Sequence, residues 1–193
     1  MMKKLVAFLL AGVMVFGCVA CGNNAGEEET EPAVEAADAT ELLTKAWDTY
    51  GEDEKFFAMG GHFEAPVDNA PGNYDLSKAE DLTISFCIPT EAIEMVDNAA
   101  TLMHAMNANN FSAAAYHVVD PANKQFIIDV IKDKTLNNQW MCGFPEKLAI
   151  VTVGDDYVVT AFGTTELVDN FTTKLTNVYG NNVIISVEED LAR

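Results

Sequence analysis

The chain has 193 residues, 49% of them apolar, and its 30 acidic and 11 basic side chains give a formal net charge of −19. The apolar fraction is too high for a disordered chain and predicts one packed domain. The acidic balance excludes nucleic acid as a partner, because a polyanion would be repelled and no basic cluster is present to displace its counterions.

Residues 1–20 have the features of an export signal. Lys3 and Lys4 precede an apolar run over 5–16. This run is shorter than the ~20 residues that a membrane-spanning helix needs. The pattern therefore predicts a signal peptide that is removed from the mature protein.

The next residues, Val19-Ala20-Cys21-Gly22, resemble a bacterial lipoprotein signal, in which the cysteine is lipidated and becomes the first residue. The resemblance implies lipidation at Cys21 and anchoring of the protein in the cell membrane, on its extracytoplasmic face. Cys18 is a competing acceptor, but Phe16 is bulky for its place before that cysteine. A plain secretory signal is the other alternative.

Residues 21–41 predict a flexible acidic tether, because 22–41 carry seven acidic and no basic side chains. A run of like charges repels itself and stays extended. An acidic tail that binds a ligand is the alternative. Residues 42–193 then form a single domain, long enough for one hydrophobic core.

The first part of the domain predicts two helices, one strand and a long loop. Thr40 is placed to cap a helix over 41–50. Residues 51–75 show no period and predict an irregular loop. A short strand over 82–88 and a helix over 90–107, which Pro89 would start, complete this part.

From residue 111 onward the pattern predicts alternating strands and helices. The predicted strands are 111–119, 147–153, 157–162 and 183–187, and the predicted helices are 121–141 and 165–179. The order β-α-β-β-α-β over 111–187 predicts an α+β, ferredoxin-like layer with both helices on one face of an antiparallel sheet. The N-terminal part would be a helical and loop extension.

The sequence contains no recognisable catalytic or cofactor-binding set. It has no glycine-rich phosphate motif and no serine nucleophile motif, which predicts a non-enzymatic protein without a cofactor. His62, His104 and His117 lack metal-ligand spacing. Met103 and Met106 flank His104, and outside the cell these side chains could together bind Cu(I), which favours thioethers, but helical spacing of methionines more often indicates core packing.

Two cysteines of the domain, Cys87 and Cys142, could form one disulfide in an exported protein or remain free thiols. Cys142 lies within Trp140-Met141-Cys142-Gly143-Phe144-Pro145. This segment is predicted to end the helix, with Trp140 and Phe144 packed and Gly143 left-handed. A thiolate is disfavoured at a helix C-terminus, which argues against thioredoxin-type chemistry at Cys142.

The loop over 51–75 is the predicted contact region for a partner. Phe56, Phe57, His62 and Phe63 lie close to Gly60-Gly61. Long loops in compact domains often carry function. The alternative is a loop laid over the core.

Four segments resemble small lipoproteins of clostridial-type gut Firmicutes, some of which are labelled bacteriocin transport accessory proteins. They are 46–61 (AWDTYGEDEKFFAMGG), 102–118 (LMHAMNANNFSAAAYHV), 137–159 (NNQWMCGFPEKLAIVTVGDDYVV) and 166–175 (ELVDNFTTKL). The resemblance implies a cell-surface location and a shared fold, without an established activity. We therefore expect a membrane-anchored binding or accessory module for a peptide, envelope protein or small ligand, with a thiol-linked role in peptide export as the alternative.

Overall fold

The computed structural model describes residues 35–106, 110–141 and 143–191. The predicted signal peptide, Cys21, most of the predicted tether and Cys142 lie outside the described residues. Within the described ranges the chain is an α+β domain of five α-helices and an open, antiparallel sheet of eight strands. In chain order the elements are α1 (Ala39–Trp47), β1 (Ala58–Gly60), β2 (Val67–Asp68), β3 (Gly72–Asn73), α2 (Ala79–Phe86), α3 (Thr90–Ile93), β4 (Val96–His104), β5 (Phe111–Val118), α4 (Lys124–Leu136), β6 (Lys147–Val153), β7 (Tyr157–Gly163), α5 (Thr165–Tyr179) and β8 (Val183–Asp190).

The sheet has the order β2-β1-β4-β5-β7-β6-β8, and β3 pairs with β4 beyond the end of β1. Successive side chains of a strand point to opposite faces. Thus Ala113 and Ala115 of β5 belong to one apolar core and Ala114 and Tyr116 belong to another. The sheet is therefore buried on both faces.

Helices cover both faces of the sheet. The core on the first face includes residues of α1 and α5, and the core on the second face includes residues of α2, α3 and α4. None of the helices within the described ranges has the length and apolar character to cross a membrane. The domain is three layers thick, with the sheet in the middle.

The predicted order β-α-β-β-α-β from residue 111 is confirmed, but the ferredoxin-like arrangement is not. That arrangement would place the last strand beside β5, whereas β8 pairs with β6 and β4 occupies the place beside β5. The two crossovers, β5 to β6 and β7 to β8, both run toward the β8 edge of the sheet, but they start from antiparallel strands. Right-handed crossovers that start from antiparallel strands and run in the same direction place their helices on opposite faces. The prediction that α4 and α5 share a face is therefore wrong.

Two predictions between residues 82 and 107 are wrong. The predicted strand over 82–88 falls mainly in α2, which buries Leu82 and Phe86, four residues apart, against the second core. Most of the predicted helix over 90–107 is strand β4, and only Thr90–Ile93 is helical. Beta-sheet partners lie on both sides of β4, and this tertiary environment overrides its local pattern.

The remaining helices begin and end close to their predicted positions. Helix α1 starts at Ala39, two residues before its predicted start at 41, and Asp38 rather than Thr40 caps it by accepting the Glu41 N–H at 2.8 Å. Helix α4 follows a 3₁₀ turn that Asp120 caps, and it ends at Leu136 rather than at 141. Helix α5 has the predicted bounds.

The segment over 51–75 is more ordered than predicted, because it contains β1, β2 and β3. Strands β1 and β3 approach each other closely at Gly60 and Gly72. A Cβ atom added to Gly60 would lie 2.2 Å from the Gly72 backbone nitrogen. This contact requires glycine at position 60 because no side-chain atom fits between the two backbones.

Candidate functional site

Phe56, one of the predicted contact residues, packs into the domain. Its ring centroid lies 5.0 Å from that of Trp47 and 5.5 Å from that of Phe111, which is buried. It also stacks on His104 at 4.8 Å with an interplanar angle of 12°. Partial burial lowers the pKa of His104. Phe56 therefore closes the edge of the first core, as expected of a loop laid over it.

Phe57 and Phe63 are exposed, with 56% and 48% of their surfaces accessible, and lie before and after the three residues of β1. His62 lies between them in sequence, and its ring makes a T-shaped contact with that of Tyr74 at a centroid distance of 6.1 Å. The His62 Nδ1 atom accepts the Glu64 N–H at 3.3 Å. The structure thus gives Phe57 and Phe63, but not Phe56, the accessibility that a partner contact requires.

Phe57 belongs to a row of exposed apolar side chains at one end of the sheet, which we call the apolar end and define as Phe57, Met106, Met141 and Phe144. Their exposed fractions are 56%, 57%, 93% and 59%. Four strand spacings separate β1 from β6, so the row extends over roughly 20 Å. Isolated exposed apolar residues are common, but several at one end of a domain indicate an interaction surface.

Hydrogen bonds hold both segments of the apolar end against the same end of the sheet. The Ala105 N–H donates to the Phe57 carbonyl at 2.9 Å, which places Phe57 beside the segment that carries Met106. The Asn110 side-chain amide donates to the Gly143 carbonyl at 2.7 Å, which fixes the segment around Met141 and Phe144. Hydrogen bonds to backbone carbonyls therefore position both segments of the apolar end.

The segment Trp140–Pro145 behaves only partly as predicted. Trp140 packs against Phe162 at a centroid distance of 5.3 Å, and Gly143 is left-handed with φ +64°. Phe144 is exposed, so the prediction that it packs is wrong. The reason is that α4 ends at Leu136 and leaves this segment outside the helix layer.

A cavity of about 670 Å³ adjoins the apolar end between the segment over 53–56 and the start of α5. Phe56, His104 and Leu167 contribute its aromatic and apolar lining, while Asp53 and Glu166 are acidic. Its volume lies within the range of ligand pockets, and its mixed lining also suits the rim of a protein interface.

Cys87 is buried and adopts a left-handed conformation, with φ 56°, at the end of α2. Burial raises the pKa of its thiol, an effect that a hydrogen bond with Thr135 partly offsets. Neutral thiols are poor nucleophiles, so this environment disfavours reactive chemistry at Cys87. A bridge between Cys87 and Cys142 stays a prediction, because Cys142 is outside the described residues.

The opposite end of the sheet carries a histidine between two carboxylates, which the sequence did not predict. The His117 Nδ1 atom lies 2.5 Å from Asp97 Oδ1, and its Nε2 atom lies 3.7 Å from Asp156 Oδ2. Sheet register creates this group by pairing His117 with Tyr157 and with Asn98. In the described ranges no three histidine, cysteine or acidic side chains are arranged to hold a metal ion. No spacing signal in the sequence marks this group.

The chain matches no protein-family model, no curated protein and no solved structure. Its function has to be argued from the surfaces that its own residues form.

Proposed function

We propose that this protein is a lipid-anchored binding module on the extracytoplasmic face of the cell membrane, and that a partner protein of the envelope docks on its apolar end. The observation that carries the proposal is the exposure of Phe57, Met106, Met141 and Phe144 at one end of the sheet. Full burial of such a side chain is favourable by about 1.5–3 kcal/mol relative to full exposure, so a partner that covers these side chains gains affinity.

The point where the chain enters the domain supports this proposal. Glu35 and Ala36 lie beside the turn between β6 and β7, in a cavity that Gly154 and Tyr157 also line. That turn is at the end of the sheet opposite to Phe144. An anchor attached through the preceding residues would leave the apolar end accessible to a neighbour.

Site-specific cross-linking tests the proposed surface. We expect a photo-reactive phenylalanine analogue at position 57 of the lipidated full-length chain to form a discrete adduct in native membranes. The same analogue at position 126 is the matched control, because Phe126 is also a partly exposed phenylalanine, at 42%, but lies on α4. Identical adducts from both positions would contradict the proposal.

Replacement of Phe57 separates binding from stability. We expect Phe57→Ser to abolish the adduct of an analogue placed at position 144, while the free energy of unfolding stays within about 0.5 kcal/mol. If Phe57→Ser instead lowers the unfolding free energy by several times that amount, Phe57 has a structural role and the proposal loses its basis.

A further inference from the structure

The eight-strand sheet has two edges, and they differ in the way they are protected. Strand β2 forms one edge and is only two residues long, directly after Pro66. Strand β8 forms the other edge with eight residues, and among the described strands it pairs only with β6. A long edge strand presents unpaired backbone N–H and C=O groups to any extended chain that lies beside it. The edge at β8 is therefore open to strand addition.

The first half of β8 places an exposed apolar side chain on each face of the sheet. Ile184 and Ile185 are 62% and 50% exposed, and neighbours in a strand point to opposite faces. The pairing with β6 skips one residue at Ser186. This bulge lets Ile185 and Glu188, three residues apart, lie on the same face, toward α5.

A groove of about 410 Å³ runs between β8 and α5. Ile185 and Glu188 line the strand side, while Thr172, Thr173 and Thr176 line the helix side. Each threonine hydroxyl donates to a carbonyl of its own helix, at 2.8–2.9 Å, which leaves its oxygen as an acceptor toward the groove. The helix wall therefore offers methyl groups and hydrogen-bond acceptors.

The charges of the groove favour a cationic ligand. Lys147 is its one basic lining residue, and its Nζ atom is already 2.6 Å from Asp169 Oδ1 and 2.5 Å from Glu188 Oε1. These contacts raise the pKa of Lys147, and the pair of carboxylates retains a net negative charge. A second copy of this chain is a poor occupant, because each copy carries a formal charge of −19.

We infer that the β8 edge binds an extended cationic peptide segment by strand addition, with lysine or arginine side chains in the groove beside α5. The aliphatic stem of such a side chain would lie on Ile185, and its charged group would reach Glu188 and the threonine oxygens. Side chains of alternate residues would lie on the other face, beside Ile184. Backbone hydrogen bonds would supply affinity and the alternating side chains would supply specificity.

The test uses the full-length chain in detergent and a synthetic ten-residue peptide of alternating lysine and valine. We expect binding in fluorescence anisotropy, with amide shifts in NMR spectra confined to β8, β6 and α5. A peptide with proline in place of two valines keeps its charge but loses two N–H groups, and we expect it to bind at least tenfold more weakly. Equal binding of both peptides would show a non-specific charge effect and would overturn the inference.

A matched pair of variants locates the peptide. Thr176→Arg fills the groove from an exposed helix position, and Gln125→Arg adds the same charge at an exposed position of α4. We expect Thr176→Arg to weaken peptide binding at least tenfold and Gln125→Arg to leave it within twofold. Equal affinity of both variants, or β8 shifts that appear with protein concentration in the absence of peptide, would overturn the inference. Because neither variant alters a residue of the apolar end, neither result bears on the proposed function.

Discussion

Lys174 is the residue that connects the long segment after α1 to α5. Its Nζ atom lies 2.6 Å from Glu54 Oε2 and 3.3 Å from the Thr49 carbonyl, and it sits 5.3 Å from the centre of the Tyr50 ring. Only 14% of the side chain is exposed. Glu54 also accepts the Gly51 N–H at 2.7 Å. This ion pair therefore adds to the contacts that hold the segment presenting Phe56 and Phe57.

The Glu54 carboxylate makes stability depend on pH in one direction. Its hydrogen bond with Lys174 is the main cause that lowers its pKa below the ordinary value of 4.5. A carboxyl group with a lowered pKa in the folded state stabilises the fold above its unfolded pKa, and this stabilisation is lost as the pH falls. We expect Glu54→Gln to lower the melting temperature at pH 7, with the difference from wild type closing between pH 5 and pH 3.

Thermal unfolding across that pH range measures the effect, and Glu52→Gln is the control. Glu52 is an exposed acid two residues away, and we expect its replacement to change the melting temperature little at any pH. A deficit of Glu54→Gln that persists at pH 3 would show that the ion pair is not its cause.

At the level of secondary-structure elements, β1 and β3 pass so close to each other that a single added Cβ atom at Gly60 would not fit between them. A Cβ atom on Gly60 would meet backbone atoms of residues 70–72 at 2.2–2.5 Å, and backbone cannot move aside as a flexible side chain can. We expect Gly60→Ala to lower the free energy of unfolding by about 3 kcal/mol, the upper part of the usual cost of overpacking. Denaturant unfolding measures this loss.

Gly154 provides the control for Gly60. It has a left-handed φ of +60° in the turn between β6 and β7, but nothing lies within 4 Å of the position that its Cβ would take. We expect Gly154→Ala to cost about 1 kcal/mol, because only backbone strain opposes it. If Gly60→Ala proves no more costly than Gly154→Ala, the two strands are farther apart than described.

At the scale of the whole molecule, the predicted anchor decides where the domain acts. Acyl chains on Cys21 would hold a strongly acidic domain on the membrane. We expect the mature protein to lack residues 1–20 and Cys21→Ala to shift it from the membrane fraction to the soluble fraction. Mass spectrometry of the N-terminus and cell fractionation measure these outcomes.

Cys18→Ala is the control for the anchor. Because Cys21 follows a better lipoprotein pattern than Cys18, we expect this variant to remain in the membrane fraction. If Cys18→Ala is released and Cys21→Ala is retained, Cys18 carries the lipid instead. Retention of both single variants would contradict a single lipidated cysteine.

The elements whose signals lie among neighbouring residues could be predicted from the amino-acid sequence. The turn over 154–156 between two apolar runs predicted the β6–β7 hairpin. Asp120-Pro121 predicted a helix start, and the structure has a 3₁₀ turn there that leads into α4. Residues 165–179 likewise carry a helical apolar period of their own. In each case the capping residue, the turn and the buried face lie within a few positions of one another, so local physics suffices.

The identity of α2 and β4, the pairing of β8 with β6, and the surfaces built from them depend on contacts between distant parts of the chain. Residues 82–88 have the composition of a strand, but most of them form a helix because this part of the chain packs against the second face of the sheet. Likewise the groove beside β8 and the group around His117 join residues that are distant in sequence. Each strand can pair with several others, and the free energy of a given pairing depends on the whole sheet rather than on any one segment.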